Sequence, residues 1–192
     1  MKLLSRAAFF VTCLFLTSTL AQAQTRVHAL SGTVTTIRPK IQMTEIDTDD
    51  GTSAHFQWLK KSDGPLSFDK NVSNDAMAAE KFTTNNTHVI VYYFGDGVVR
   101  TVIALRDLGT GPLEKSVGTV VKFNRHDHLL TIRNSTGGEV LFHLDPKTVA
   151  DTPDGVSQGF KFDLTKGETV RIIASQTTNG EKTALLISPA IL

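Results

Sequence analysis

The sequence predicts an all-β chain: two five-stranded barrels in tandem, with one short helix. Three observations lead there. First, a pattern recurs at a fixed spacing. Gly32-Thr33-Val34 returns as Gly118-Thr119-Val120, and Ile46, Gly51 and Phe56 return as Ile132, Gly137 and Phe142, each 86 positions later without a gap. Second, β-branched and aromatic residues alternate with polar ones over short runs, the period of a half-buried strand. Third, clusters of Gly, Asp and Asn punctuate those runs as turns do.

The first 23 residues have the makeup of a signal peptide. Lys2 and Arg6 form a positive n-region, Ala7 to Leu20 a short apolar core, and Ala21-Gln22-Ala23 an A-x-A cleavage site. The apolar run is shorter than the roughly 20 residues a membrane-spanning helix needs. No later segment is long and apolar enough, so the mature chain is expected to have no transmembrane segment and to be periplasmic or secreted. The only cysteine, Cys13, lies inside this signal, too far from Ala23 to mark a lipoprotein site there. The mature domains are therefore expected to hold together by burial, without disulfides or thiolate metal sites. Losing Lys2 and Arg6 turns the formal charge from +1 to −1. Phosphate-gripping proteins normally carry a basic excess, so nucleic acid is not expected as a partner.

Each copy shows the same order of elements. In residues 24–105, Val27–Ile37 reads as a strand, broken by Arg38-Pro39-Lys40. Met43–Thr48 and Ser53–Trp58 flank the turn Asp49-Asp50-Gly51-Thr52. A long polar stretch follows. Within it Asp75–Phe82 reads as a short helix, capped by Asn74, with Ala78 and Phe82 on one face. His88–Phe94 and Val98–Leu105 form a hairpin around Gly95-Asp96-Gly97. Residues 106–115, with Gly109-Thr110-Gly111-Pro112, read as a linker. In residues 116–192 the strands are Val117–Phe123, Leu129–Asn134, Glu139–Leu144, Thr169–Ser175 and Lys182–Ile187. Asp145–Gly159 reads as irregular. Ile46, Phe56 and Trp58 share one parity, as do Val140, Phe142 and Leu144, and both sets should face a barrel interior. Tyr92 and Phe94 join that aromatic core. Tyr93 points the other way and is expected to be exposed or to touch the second domain.

Five strands with a longer excursion between the third and fourth is the order of an OB-type barrel. An open sandwich built from both copies is the rival, but each copy contains a full strand set. The motifs Gly118-Thr119-Val120, Gly167 to Ile172 (GETVRI) and Asn179 to Ile187 (NG…KTALLI) resemble bacterial extracytoplasmic domains of unknown function with an OB-like barrel. The resemblance covers most of the second copy and is looser in the first, where Asn85-Asn86 replaces Lys166-Gly167. It implies a compartment and a fold, with no catalytic residues to carry over.

Candidate chemistry is sparse. His126-Asp127-His128 lies in the loop between the first two strands of the second copy, where OB folds often bind ligands. Imidazole and carboxylate suit Zn²⁺ or Cu²⁺, but no third ligand is evident, and a polar turn tip is the plainer reading. If Ile46 pairs with Phe56, Asp47 faces His55, an exposed pair of little energetic weight. Asp49-Asp50 sits in a turn, where solvation is the ordinary explanation. No serine lies in a nucleophile elbow and no glycine run has phosphate-loop spacing. No cofactor is expected beyond the metal ion that the histidine loop allows.

These readings favour a non-enzymatic binding or interaction module of the cell envelope, with a protein, peptide or glycan partner. A metal-binding protein using His126 and His128 is one alternative. An enzyme with its site at the contact between domains is another. The export reading has a direct check: intact mass of the exported protein is expected to place the mature N-terminus at Gln24, and a membrane fraction retaining Met1 would contradict it.

Overall fold

Each half closes on itself because its third and last strands meet side by side. The computed structural model describes residues 26–58, 75–95 and 97–190. The expected signal peptide and the polar stretch after Trp58, including Asn74, fall outside the described residues. The first barrel comprises β1 (His28–Arg38), β2 (Met43–Thr48), β3 (Ser53–Trp58), β4 (Ala76–Ala78), β5 (His88–Phe94) and β6 (Val99–Gly109). The second comprises β7 (Glu114–Asn124), β8 (Leu129–Asn134), β9 (Glu139–Thr152), β10 (Gly155–Gln158), β11 (Thr169–Gln176) and β12 (Lys182–Pro189). In the first, β1 pairs with β2 and β5, β2 with β3, β5 with β6, and the parallel pair β3–β6 closes the ring. In the second, β7, β8, β9, β12 and β11 close identically, with β9–β12 parallel. This is the OB-type order; β4 and β10 are short additions to each ring.

The repeat spacing has a physical basis. A Cβ on Gly32 would lie 2.4 Å from the Asp47 carbonyl oxygen, and one on Gly118 2.5 Å from that of Arg133. Asp47 and Arg133 are themselves 86 apart, so the same close strand approach forbids a side chain in both barrels. A bulge follows at the same place in each, between Val34 and Thr36 and between Val120 and Lys122. Bulges bend a strand, and closing so small a barrel needs that bend. Ahead of β5, Asn86 takes the left-handed conformation that Gly167 takes ahead of β11 (φ 57° and 96°). Asn tolerates it best after Gly, which explains the Asn85-Asn86 for Lys166-Gly167 exchange.

Three apolar cores result. Val34, Ile46, Phe56, Val89, Val91, Val102 and Leu105 fill the first barrel. Val120, Leu130, Ile132, Phe142, Leu144, Val170, Ile172 and Ile187 fill the second. Trp58 and Val140 pack against their own cores half-buried, as their parity predicts; the Trp58 indole N–H donates to Thr44 Oγ1 at 2.8 Å. The third core lies between the barrels: Val27, Ala29, Ile90, Tyr92 and Ala104 of the first meet Val149, Ile173 and Leu186 of the second.

Four expectations are corrected. Asp75–Phe82 is not a helix: Ala76–Ala78 pairs with Arg106, Leu105 and Ala104 of β6, and a 3₁₀ turn covers Ala79–Lys81. Eight residues cannot recover the cost of helix nucleation, and an open sheet edge beside them offers backbone bonds at once. Asp145–Gly159 is not irregular: β9 runs on to Thr152, past Pro146, and turns back as β10. Pro153-Asp154 is the turn, and Gly155 opens β10 at φ 104°. The β2–β3 register is Ile46 to Ala54, so Asp47 faces Ser53 and Glu45 faces His55. Thr48 and Thr52 close a tighter loop than expected, with Thr48 N–H donating to Thr52 O at 2.8 Å. Finally, Tyr93 packs edge-on against Phe56 on the first barrel's own core, while Tyr92 faces the second barrel. The interior parity of β5 is that of Val89 and Val91, which the unbroken apolar and aromatic run from Val89 to Phe94 concealed.

A ring lost from a fully buried site costs its transfer energy and leaves a cavity. Phe142→Ala is expected to cost about 3–5 kcal/mol, and Ile173→Ala about 2–5 kcal/mol. Because Ile173 sits in the shared core, both substitutions should lower one common unfolding transition by calorimetry. Two resolved transitions, with only the second moved, would mean the barrels are energetically independent.

Candidate functional site

The packing of one barrel wall on the other leaves a cleft at the rim of the shared core. The cavity measures about 510 Å³ and takes walls from β1, the β2–β3 turn and β6 on one side, and from the β9–β10 turn, β11 and β12 on the other. Its floor is apolar, with Ala29, Ile173 and Leu186; its polar lining includes His28, Asp49, Asp50, Arg100, Asp151, Arg171 and Ser188. Volume and lining are those of a small-molecule site, and the border between two domains is a usual place for one.

Asp49 ties the two walls together. Its side chain is only 3% exposed; its carboxylate receives His88 Nε2 at 2.8 Å and Lys115 Nζ at 2.6 Å. Lys115 belongs to β7, so the pair crosses between barrels. Burial works to raise the Asp49 carboxyl, but hydrogen bonds from His88, Lys115 and Ser31 outweigh it and hold the pKa at about 2. The other ring nitrogen of His88 lies 3.2 Å from Thr33 Oγ1. This Thr–His–Asp chain is set in the wall, since neither Thr33 nor His88 lines the cavity.

Asp151 is the matching acid on the other wall. Its Oδ1 accepts the Ala29 N–H at 3.1 Å and lies 3.0 Å from His28 Nδ1, both on β1. Burial pushes the Asp151 carboxyl up, against the pull of those two groups. Asp50, at the rim, is occupied locally: Thr48 Oγ1 donates to it, as do Thr52 N at 3.0 Å and Thr52 Oγ1 at 2.7 Å. Arg100 of β6 stands 5.0 Å over the Tyr93 ring. Arg171 of β11 has Ser188 of β12 as its cross-strand neighbour on the same face.

The residues singled out by sequence lie elsewhere. His126, Asp127 and His128 form the β7–β8 turn, away from the cleft. Asn124 organises it: its Oδ1 accepts the His126 and Asp127 N–H groups at 3.1 and 3.2 Å, and its amide donates to Asp127. His128 adopts a left-handed backbone (φ 54°), the conformation of Gln42 (φ 55°) at the equivalent place in the first barrel. Its ring stacks on Phe160 at 5.0 Å. Among the described residues, no three His, Cys, Asp or Glu side chains are grouped to hold a metal ion. Asp47 accepts a hydrogen bond from Ser53 at 2.6 Å, and His55 Nδ1 lies 3.9 Å from Glu45. Asp49 was legible only as a turn residue. That a turn residue is buried depends on the second barrel lying over it, which no local pattern reports.

No family model matches the chain, and no curated protein matches it in sequence. Among solved structures, one match is a multidomain protein with nucleic acid binding domains from Streptococcus pneumoniae TIGR4. Identity is 12% and the TM-score 0.22, over 85% of this chain and 45% of that one, so this chain spans less than half of that protein. The expected exclusion of nucleic acid is corrected on this finding, because a protein with nucleic acid binding domains stands among the matches. The exclusion rested on net charge, which sums over the whole chain, whereas phosphate contact needs only a local group of cations. At a TM-score of 0.22 the likeness itself carries no ligand across to this chain.

The Asp49 bonds make stability depend on pH. A carboxyl depressed from 3.8 to about 2 on folding contributes stability that is present above about pH 4 and lost as pH falls through about 2. The amount is about 2 kcal/mol. Urea titrations from about pH 6 down to about pH 2 are expected to show this loss in the wild type and its absence in Asp49→Asn. Parallel profiles for the two proteins would show that the pairs are not formed in solution.

Proposed function

We propose that this chain is an exported, non-catalytic binding protein of the bacterial envelope, and that the cleft between its barrels holds the ligand. One observation carries the reading: a cavity of about 510 Å³ lined by polar groups from both barrels over an apolar floor. A ligand there would touch both domains and gain from surface already ordered by the shared core, without paying to organise loops. The engaged state of the acids supports binding over turnover. Asp49, Asp50 and Asp151 each accept donors from within the chain, which orders the walls and leaves none of these three carboxylates unengaged. Export is supported by the charged, apolar and A-x-A segments of residues 1–23, and by the resemblance of the second repeat to extracytoplasmic domains.

A fragment screen on the isotope-labelled mature protein, read by amide chemical shifts, checks the site. Hits are expected to move the amides of Ala29, Ser31, Asp151 and Ser188 together, from both barrels at once. Hits gathered on the β7–β8 turn or on one barrel alone would contradict the cleft as the binding site.

A further inference from the structure

Resting on the reading of the cleft as a ligand site, the geometry points to a ligand with an anionic head, a carboxylate or phosphate, held between Arg100 and Arg171. The two guanidinium groups come from different barrels, β6 and β11, and both line the cavity. All other charged side chains of the lining have partners inside the protein. Asp49 is paired with Lys115 and hydrogen-bonded to His88. Asp151 is held by the Ala29 amide and His28. Asp50 is held by the hydroxyls and amide of Thr48 and Thr52. Neither Arg100 nor Arg171 forms an ion pair with any carboxylate of the described residues. Both are half-buried, where a guanidinium with unused donors gains most from an incoming oxyanion.

The setting of each arginine suits capture. Arg100 rests on the Tyr93 ring, which orients the planar fork and limits the entropy lost on binding. Arg171 stands beside Ser188, whose hydroxyl is a further donor on the same face of β11 and β12. Burial works to raise the Asp50 carboxyl, but hydrogen bonds from Thr48 and Thr52, with the charge of Arg171 behind them, hold it low, and it lies exposed at the rim with those threonine donors on it. The floor of Ala29, Ile173 and Leu186 accepts an apolar body behind the charged head. Carboxylate and phosphate share this chemistry, and the bidentate match to an arginine fork applies to both.

Matched probes test this on the intact mature protein. Benzoate and phenyl phosphate carry the anionic head on an apolar ring; benzamide is the neutral counterpart. Titrations read by the cleft amides are expected to show an anionic probe binding at least about tenfold tighter than benzamide, the worth of one charge-assisted contact. Whichever anion binds tighter identifies the head. Arg100→Gln and Arg171→Gln should each weaken it about tenfold, with Arg171→Lys between Arg171→Gln and wild type because it keeps the charge and loses the fork. The comparison of isosteres on wild-type protein stands even where a variant folds poorly. Benzamide binding in the cleft as tightly as both anions would overturn the anionic head and leave the cleft reading intact. Probes of both kinds missing the cleft would overturn both.

Discussion

The fold depends on one strand that is apolar on both faces. Val89 and Val91 of β5 point into the first barrel, while Ile90 and Tyr92 point out of it, and all four are fully buried. A single barrel would leave Ile90 and Tyr92 in water beside Ala29 and Ala104, a contiguous patch that soluble domains rarely expose. The second barrel supplies Val149, Ile173 and Leu186 to cover it. Each ring closes its own backbone hydrogen bonds, yet neither covers its own apolar surface. The two topological units therefore share one apolar core, and the cleft lies at its rim.

Polar groups around that shared core are satisfied across it. The Arg106 side chain, 8% exposed, donates from Nη1 to the Lys147 carbonyl at 2.7 Å. Lys147 in turn reaches Asp75 at 2.6 Å. Val156 N–H donates to the Val27 carbonyl at 2.8 Å, so β10 meets the start of β1. With Asp49–Lys115 and Asp151–His28, these contacts fix one orientation of the barrels. A buried charge left without its partner costs several kcal/mol, so alternative dockings that separate these pairs are penalised. The apolar core supplies attraction, and the polar rim selects the geometry in which the cleft exists.

Much of this was legible in the chain. The constant spacing of Gly32 and Gly118, of Ile46 and Ile132, and of Phe56 and Phe142 follows from sterics and parity, both of which are local and periodic. What was not legible depended on contacts between distant segments. The Ala76–Ala78 strand exists because β6 presents an open edge there. The β2–β3 register turned on how Thr48 and Thr52 share Asp50, a side-chain arrangement that composition does not encode. Tyr92 and Tyr93 were assigned to the wrong faces because β5 is apolar on both and so carries no alternation to read. The cleft was foreseen only as a place, the contact between domains. Its residues were not: Arg100 and Asp151 lie in no motif, Arg171 lies in the GETVRI run that reads only as a strand, and the three meet only when the barrels dock. In the conspicuous histidine loop, Asn124 bonds His126 and Asp127, and Phe160 stacks on His128.

The division between repeated and unrepeated positions carries a last consequence. Where the two copies agree, the residues build the barrel: the crowded glycines, the bulges, the left-handed Gln42 and His128. Several of the positions where they differ meet in the cleft. By strand register, Arg171 of β11 occupies the place that Ile90 holds in β5, since Arg171 pairs with Val117 and Ile90 pairs with Ser31, 86 positions before it. One copy thus uses that place to join the barrels and the other to present a cation. His28 of β1 corresponds to Glu114 of β7, which is held by Lys182 at 2.8 Å and turned to its own barrel. A duplicated fold whose copies have parted at their facing walls, while keeping the crowded glycine and the Val, Ile and Phe of each barrel core at one spacing, has the asymmetry that a site between two such barrels requires.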